Sequence, residues 1–123
     1  MKVLLVDDSR TIRNIQKSML AQLGYSEIQE ACDGLDAMSK VDAFQPDLLL
    51  VDWNMPKMDG LSFVREYRSK GHRAPIIMVT TEADRGRVVD AIKAGVSDYL
   101  VKPFTPDGLA RRIKETMDRV AAA

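Results

Sequence analysis

Apolar residues in this chain fall into five short runs, and each run is followed by a segment with helical periodicity. Four of the runs are continuous or nearly so, which is typical of strands that are buried on both faces. The second run contains Gln29 and Glu30, and these polar residues predict a strand at the edge of the sheet. The predicted strands cover residues 2–6, 28–31, 48–51, 76–79 and 99–101.

The segment after the first predicted strand has the pattern of an amphipathic helix. Ile12, Ile15, Met19 and Leu23 recur in three- and four-residue steps, so they predict one apolar face. Gly24 follows this segment, and glycine commonly ends a helix because it adopts the left-handed conformation easily.

Capping residues mark the starts of three further helices. Asp33 and Asp59 precede the second and third, and Thr105 followed by Pro106 opens the fifth. The fourth predicted helix ends near Gly95. The apolar faces predicted for the second, third and fourth helices consist of Leu35, Met38 and Val41, of Leu61, Val64 and Tyr67, and of Val88, Val89 and Ile92, respectively.

Five alternating strand and helix units predict an α/β fold: a doubly wound parallel sheet of five strands with helices on both faces. Among the strand orders common in such sheets, the flavodoxin-like order 2-1-3-4-5 has five strands and places the second strand at an edge. The polar second run matches that order. We therefore expect one domain over residues 1–123, with the order reversing between the first and third strands.

Polar side chains follow the predicted strands at the carboxyl edge of the sheet, where ligands bind in folds of this kind. Asp7 and Asp8 follow the first strand, and Asp52 follows the third. Thr80 ends the fourth strand, and the fifth runs into Lys102. Each of these residues alone is ordinary, since aspartates often cap helices and lysines are usually solvated. Their convergence on one edge predicts a functional site.

Three carboxylates at one edge require compensation by positive charge. Two carboxylates about 4 Å apart repel by about 4 kcal/mol at an effective dielectric constant near 20. Lys102 supplies one positive charge, and a divalent cation would supply two more. The nearby ligand atoms are oxygens rather than imidazole or thiolate, which favours a hard cation, magnesium, with manganese as a substitute.

Composition and charge exclude several classes of protein. Lys plus Arg equals Asp plus Glu at 18 each, so the basic excess of a nucleic-acid binder is absent. Hydrophobic residues make up 46 % of the 123 residues, enough for a core. The single cysteine, Cys32, fits a reducing compartment, and no segment has the length of a membrane span. We expect a cytoplasmic location and no membrane partner.

Ordered motifs along the whole chain resemble those of bacterial response-regulator receiver domains, and the segment around Trp53 is most similar to the single-domain chemotaxis regulators. Each motif alone is weak, whereas the ordered set is specific. The motifs are Asp7-Asp8, Val51-Asp52-Trp53-Asn54-Met55-Pro56 with Met58-Asp59-Gly60, Val79-Thr80, and Tyr99-Leu100-Val101-Lys102-Pro103-Phe104.

This resemblance implies a role for each matching position. Asp52 would accept the phosphoryl group, Thr80 would hydrogen-bond it, and Lys102 would pair with its charge. Tyr99 would be the switch residue that changes rotamer together with Thr80. Asp8, Asp52 and the backbone carbonyl of Asn54 would bind Mg²⁺ directly, Asp7 would help through water, and the side chains of Asn54 and Glu82 would tune hydrolysis. A cis peptide bond is implied at Lys102-Pro103.

The resemblance also implies partners: a sensor histidine kinase as donor, and an output protein such as the flagellar motor switch. We expect a monomer that catalyses only its own phosphorylation and dephosphorylation. A phosphorelay intermediate or phosphate sink is the alternative within the family. An aspartyl-nucleophile phosphatase would need its two acids one residue apart, and an FMN carrier would need a phosphate loop rich in Ser, Thr and Gly, which Asp7-Asp8-Ser9-Arg10 does not provide.

Three smaller predictions concern side chains outside these motifs. Trp53 is expected to pack at the rim of the site. His72, the only histidine, is expected to be a plain surface residue. Basic residues on the fifth helix are expected to form a solvated face or to dock an acidic partner; they are Arg111, Arg112, Lys114 and Arg119.

Overall fold

Strands and helices alternate along the chain as the hydrophobic pattern predicts. The computed structural model describes residues 1–81 and 85–122, apart from the side chains of residues 85 and 86. The strands are β1 (Lys2–Val6), β2 (Glu27–Ala31), β3 (Leu48–Asp52), β4 (Ile76–Thr80) and β5 (Asp98–Val101). The helices are α1 (Arg10–Gln22), α2 (Gly34–Phe44), α3 (Gly60–Ser69), α4 (Arg85–Ala94) and α5 (Pro106–Ala122). The predicted bounds of the strands differ from these by at most one residue at either end.

The strands form one parallel sheet in the order β2-β1-β3-β4-β5, which confirms the flavodoxin-like prediction. Val6 lies opposite Val51 in the register of β1 and β3. Asp52 lies opposite Val79, and Thr80 lies opposite Val101. The carboxyl ends of four strands therefore meet at one edge of the sheet.

Alternate residues of each central strand supply two separate cores, because successive side chains of a strand point to opposite faces. On one face, Leu4 and Val51 pack with residues of α2, α3 and α4. On the other face, Leu5 and Leu50 pack with residues of α1 and α5. All five residues of β3 are buried, and the continuous apolar run of this strand follows from burial on both sides.

Side-chain caps start the helices where the sequence predicts them. Asp33 accepts a hydrogen bond from the Asp36 amide at 2.8 Å, and Asp59 accepts one from Ser62 at 2.7 Å. Thr105 accepts one from Gly108 at 3.0 Å. Gly24 and Gly95 have φ values of 92° and 109°, the left-handed conformation that ends α1 and α4.

The predicted helix faces are only partly right. Leu35 and Ile92 were predicted to face the core but are 52 % and 61 % exposed. Val89 and Ile15 are also about half exposed, at 48 % and 46 %. In α2 and α4 the small residues Ala37 and Ala91 are buried instead. No helix within residues 1–81 and 85–122 is both long and apolar enough to cross a membrane.

Candidate phosphorylation site

Three carboxylates meet at the carboxyl edge of the sheet. Asp7 and Asp8 follow β1, and Asp52 is the last residue of β3. One oxygen from each carboxylate lies within 4.8 Å of the others. Asp7 and Asp52 are buried, whereas Asp8 is exposed at the mouth of the cluster. The structure therefore brings together the acids that strand positions alone predicted to converge.

Lys102 reaches this cluster from the loop after β5. Its Nζ donates to Oδ1 of Asp52 at 2.9 Å and to Oδ2 of Asp7 at 3.3 Å. The position of Lys102 is fixed by its own backbone, because its amide donates to the carbonyl of Thr80 at 2.7 Å. The peptide bond between Lys102 and Pro103 is cis, as the resemblance implied.

Burial and charge crowding shift the pKa values of this pair. Burial, together with the charges of Asp7 and Asp8, raises the pKa of Asp52 above its ordinary value, although the hydrogen bond from Lys102 acts in the opposite direction. Burial alone would lower the pKa of Lys102, but the hydrogen bond and charge of Asp52 and the charge of Asp7 raise it. Burial is thus the main reason that the pKa of Asp52 is raised, and the contact with Lys102 offsets only part of it.

The donor set fits a hard divalent cation. The Asp8 carboxylate makes no hydrogen bond or ion pair within the described part of the chain, so its oxygens can bind a metal directly. Asp7 is different, because its Oδ1 accepts from the Ser9 amide at 2.9 Å and its Oδ2 is paired with Lys102. Because both carboxylate oxygens of Asp7 already have partners, Asp7 is better suited to hold a metal-bound water molecule than to coordinate the metal directly.

A tight backbone contact holds the loop after Asp52 in place. The amide of Gly60 donates to the carbonyl of Trp53 at 2.9 Å, and the amide of Trp53 donates to Val79 at 3.2 Å. A Cβ atom at Gly60 would lie 2.2 Å from the carbonyl oxygen of Asp52, so only glycine fits. The close approach of the Asp52 carbonyl gives the physical reason for glycine at this position of the motif.

Thr80 and Tyr99 lie on neighbouring strands beside the site. Thr80 is buried at the end of β4, and Tyr99 is half-buried on β5 opposite Met78. A cavity of about 220 Å³ is lined by both side chains, and Trp53 and Val88 also line it. The two residues predicted to be switches therefore border the same cavity.

Arg87 is a site residue that sequence analysis did not single out. Its guanidinium carbon lies 4.4 Å from the centroid of the Trp53 ring, and its Nη2 donates to Oδ1 of Asn54 at 3.3 Å. Trp53 is 9 % exposed and packs with the core residues that α3 and α4 cover. No sequence motif marks Arg87, because it approaches the site from the first turn of α4. Glu82 lies outside the described residues.

Two surface predictions need correction. His72 is only 20 % exposed, since its ring stacks on Tyr67 at a centroid distance of 4.5 Å. On α5, Arg112 and Arg119 do not form a simply solvated face, because both pair with Asp98, at 3.3 Å and 2.8 Å. Aromatic stacking and a buried acid on β5 explain these positions, and neither is visible in a helical pattern.

Comparison with known protein families matches residues 3–114 to the response regulator receiver domain. Chemotaxis protein CheY1 of Helicobacter pylori is 47 % identical over 117 residues, covering 93 % of this chain and 94 % of that protein. The chemotaxis protein CheY homolog of Campylobacter jejuni is 43 % identical over 120 residues, covering 95 % and 92 %.

Solved structures agree with these relatives. The structure of Vibrio cholerae chemotaxis protein CheY4 superimposes with a TM-score of 0.88 at 36 % identity, over 94 % of this chain and 97 % of that one. Proteins of this type are signalling proteins rather than classical enzymes. The chain therefore belongs to the response regulator receiver domain family of two-component signal transduction, with chemotaxis regulators of the CheY type as its relatives.

Proposed function

We propose that this protein is a switch that is activated by transfer of a phosphoryl group to Asp52. The observation that carries this proposal is the contact of Asp52 with Lys102 at 2.9 Å within a cluster of three carboxylates. A buried carboxylate at a strand end, with a lysine in contact and a cation site beside it, has the parts that phosphoryl transfer requires.

The proposed reaction forms an acyl phosphate. A carboxylate oxygen of Asp52 attacks phosphorus of a phosphohistidine, the P–N bond breaks, and the electron pair and a proton go to the departing imidazole. Lys102 favours the ionised, nucleophilic form of Asp52 and supplies positive charge next to the transferred group. Thr80 is placed at the end of β4, where its hydroxyl can donate to a phosphoryl oxygen.

Asp8, Asp52 and the backbone carbonyl of Asn54 are the proposed ligands for Mg²⁺, and Asp7 assists through a water molecule. Mn²⁺ is expected to substitute because it accepts the same oxygen donors. When bound, the cation supplies the positive charge that the phosphoryl oxygens need during transfer. The clustering of the three carboxylates within 4.8 Å and the carboxylate of Asp8, which makes no hydrogen bond or ion pair in the described part of the chain, support this assignment.

Activation is proposed to pass through Thr80 and Tyr99. Phosphorylation adds a charge of about −1.5 to −2 and three acceptor oxygens beside Thr80. Movement of Thr80 toward these oxygens would let Tyr99 enter the cavity of about 220 Å³ that the two side chains line. This inward movement would change the surface formed by α4, β5 and α5, where an output protein binds.

The proposed partners are a sensor histidine kinase as donor and a chemotaxis output protein such as the flagellar motor switch. The chemotaxis relatives support this reading. We propose a monomer in the cytoplasm, where the lone thiol of Cys32 would stay reduced.

A phosphate sink or phosphorelay would not require a cavity between Thr80 and Tyr99, so the cavity favours the switch. The match over residues 3–114 argues against a phosphatase or an FMN carrier.

The direct test is incubation with acetyl phosphate and Mg²⁺, followed by intact-mass measurement. Wild-type protein should gain one phosphoryl group, and addition of EDTA should prevent the gain. Asp52→Asn should gain none, whereas the control Asp118→Asn, on the exposed face of α5, should behave as wild type. Phosphorylation of Asp52→Asn to the wild-type level would rule out Asp52 as the acceptor.

A further inference from the structure

Arg87 connects the first turn of α4 to the two residues that follow Asp52. Its guanidinium lies over the Trp53 ring at 4.4 Å, within the distance of a cation–π interaction. The same group donates to the side chain of Asn54 at 3.3 Å. The backbone of Trp53 is hydrogen-bonded to Val79 and Gly60, so the residue that Arg87 contacts is fixed in position.

The first turn of α4 supplies no acidic partner for the Arg87 cation. The first turn of α4 contains Arg85 and Arg87 and no acidic residue. The N-terminus of a helix carries partial positive charge, so cations there are unfavourable. A residue that breaks a local rule is often kept for its contacts at a functional site. The contacts of Arg87 include the ring of Trp53 and the side-chain amide of Asn54, both beside Asp52.

The contact fixes which way the Asn54 amide is used. An arginine guanidinium only donates hydrogen bonds, so the Asn54 atom that it meets must be the acceptor oxygen Oδ1. Oδ1 of Asn54 therefore already accepts a hydrogen bond from Arg87. The Asn54 atom that Arg87 does not contact is Nδ2, which can only donate hydrogen bonds. An amide held in this way cannot use the same lone pair of Oδ1 to accept a hydrogen bond from a water molecule.

Hydrolysis of the acyl phosphate depends on such an acceptor. Water attacks phosphorus, the bond from phosphorus to the Asp52 oxygen breaks, the Asp52 carboxylate leaves, and the proton of water goes to the released phosphate. A side-chain carbonyl that accepts from the attacking water can orient it for this step. Asn54 lies two residues after Asp52 and is exposed at the mouth of the site, so its Oδ1 is a candidate for that function.

We propose that Arg87 is a positioning residue that prolongs the phosphorylated state by engaging Oδ1 of Asn54. This inference rests on the proposed function, because it requires an acyl phosphate at Asp52. It adds a third residue, on α4, to the two side chains that the resemblance associates with hydrolysis. It also links the conformation of α4 to the lifetime of the signal.

The test measures loss of the phosphoryl group by intact mass after the phosphodonor has been removed, with Mg²⁺ present. Arg87→Met keeps an apolar stem against Trp53 but removes all donors. It should lose the group about threefold to tenfold faster than wild type, the factor expected for one hydrogen bond. Arg111→Met, which changes an exposed arginine on α5, should match wild type.

A second background separates positioning from other effects. In Asn54→Ala protein, the further change Arg87→Met should alter the rate by less than about twofold, since the oxygen that Arg87 engages is gone. Equal acceleration in both backgrounds would mean that Arg87 acts on the phosphoryl group itself or on α4 as a whole, and would overturn the proposal. An unchanged lifetime in Arg87→Met would overturn it too.

NMR of the unphosphorylated protein gives an independent measurement. The side-chain NH₂ resonances of Asn54 should move in Arg87→Met and stay in place in Arg111→Met; unmoved Asn54 resonances in Arg87→Met would show that the contact is not formed in solution. Failure of the two proposals is distinguishable. Wild-type protein that gains no phosphoryl group on Asp52 would remove both, whereas normal phosphorylation with an unchanged lifetime in Arg87→Met would remove this inference alone.

Discussion

The ammonium of Lys102 lies 2.9 Å from Oδ1 of Asp52, although fifty residues separate them in the chain. This pair joins the ends of β3 and β5 across β4. The same ammonium lies 3.3 Å from Asp7, so it occupies the carboxylate cluster that a cation would enter. A metal bound by these carboxylates would therefore compete with Lys102 for the same negative charge.

Replacement of Lys102 by methionine should tighten magnesium binding. Removal of one positive charge from the cluster should lower the Kd for Mg²⁺ about threefold to tenfold. This factor corresponds to about 1 kcal/mol, the repulsion expected between unit charges about 4 Å apart when water screens them. Titration calorimetry and the fluorescence of Trp53, the only tryptophan, both report this change. Lys114→Met alters an exposed lysine that pairs with Asp118 and should leave the Kd unchanged. Weaker binding in Lys102→Met would show that Lys102 organises the site rather than competing for it.

Replacement of Thr80 by valine should separate phosphorylation from the movement of Tyr99. Valine keeps the shape of Thr80 in its buried position but cannot donate to a phosphoryl oxygen. Intact-mass measurement should still show one added phosphoryl group in Thr80→Val. The NMR resonances of the Tyr99 ring, which should shift on phosphorylation of the wild type, should barely shift in this variant. Thr11→Val, at an exposed position on α1, serves as the control. A full Tyr99 response in Thr80→Val would disprove the coupling.

Stability should depend on Asp98 in a pH-dependent way. The Asp98 side chain is only 8 % exposed. Its carboxylate accepts hydrogen bonds from four donors: the side chains of Arg112, Arg119 and Thr116, and the backbone amide of Tyr99. Burial alone would raise the pKa of Asp98, but the hydrogen bonds from the Tyr99 amide and Arg119 and the charge of Arg112 lower it. A carboxyl with a lowered folded-state pKa stabilises the fold above its unfolded value and loses that contribution as pH falls through the folded pKa.

We therefore expect Asp98→Asn to lower the free energy of unfolding by about 2 kcal/mol at pH 7, with the difference from wild type narrowing below about pH 4. Urea denaturation at several pH values measures this. Asp118→Asn breaks only the exposed pair with Lys114 and should cost less than about 0.5 kcal/mol. A difference that stays constant down to pH 2 would show that charge on Asp98 is not the cause.

Alanine at position 60 should disturb both stability and the site. Its Cβ would meet the carbonyl oxygen of Asp52 at 2.2 Å, so the backbone must move, at a cost of about 1 to 3 kcal/mol. Gly108→Ala, in α5, has its nearest contact at 3.3 Å, on the capping hydroxyl of Thr105 rather than on backbone, and should cost less than Gly60→Ala. Thermal unfolding compares the two variants. Wild-type stability in Gly60→Ala would mean that the loop after Asp52 can relax freely.

The strands and the acidic cluster could be predicted from sequence because both depend on local pattern. Continuous apolar runs predicted buried strands, and the parallel arrangement placed Asp7, Asp8 and Asp52 at one edge whatever the details of packing. Caps at Asp33 and Asp59 were also visible, since a helix start is a matter of a few adjacent residues.

Packing against neighbouring elements could not be predicted in this way. The hydrophobic pattern predicts an apolar face but not which of its residues meet a neighbouring element, and Leu35 and Ile92 are exposed. His72 stacks on Tyr67, and Arg112 turns to Asp98, because partners distant in sequence lie close in space.

The sequence alone determined the order of strands and helices and the edge at which the carboxylates meet, because periodicity and strand direction are local properties that survive any adjustment of packing. Only the tertiary structure decided the pairing of Lys102 with both Asp52 and Asp7, the contact that excludes a Cβ at Gly60, and the placement of Arg87 over Trp53. Each of these contacts brings residues of separate elements within a few ångströms of each other. Such distances depend on how the helices and loops pack on the sheet.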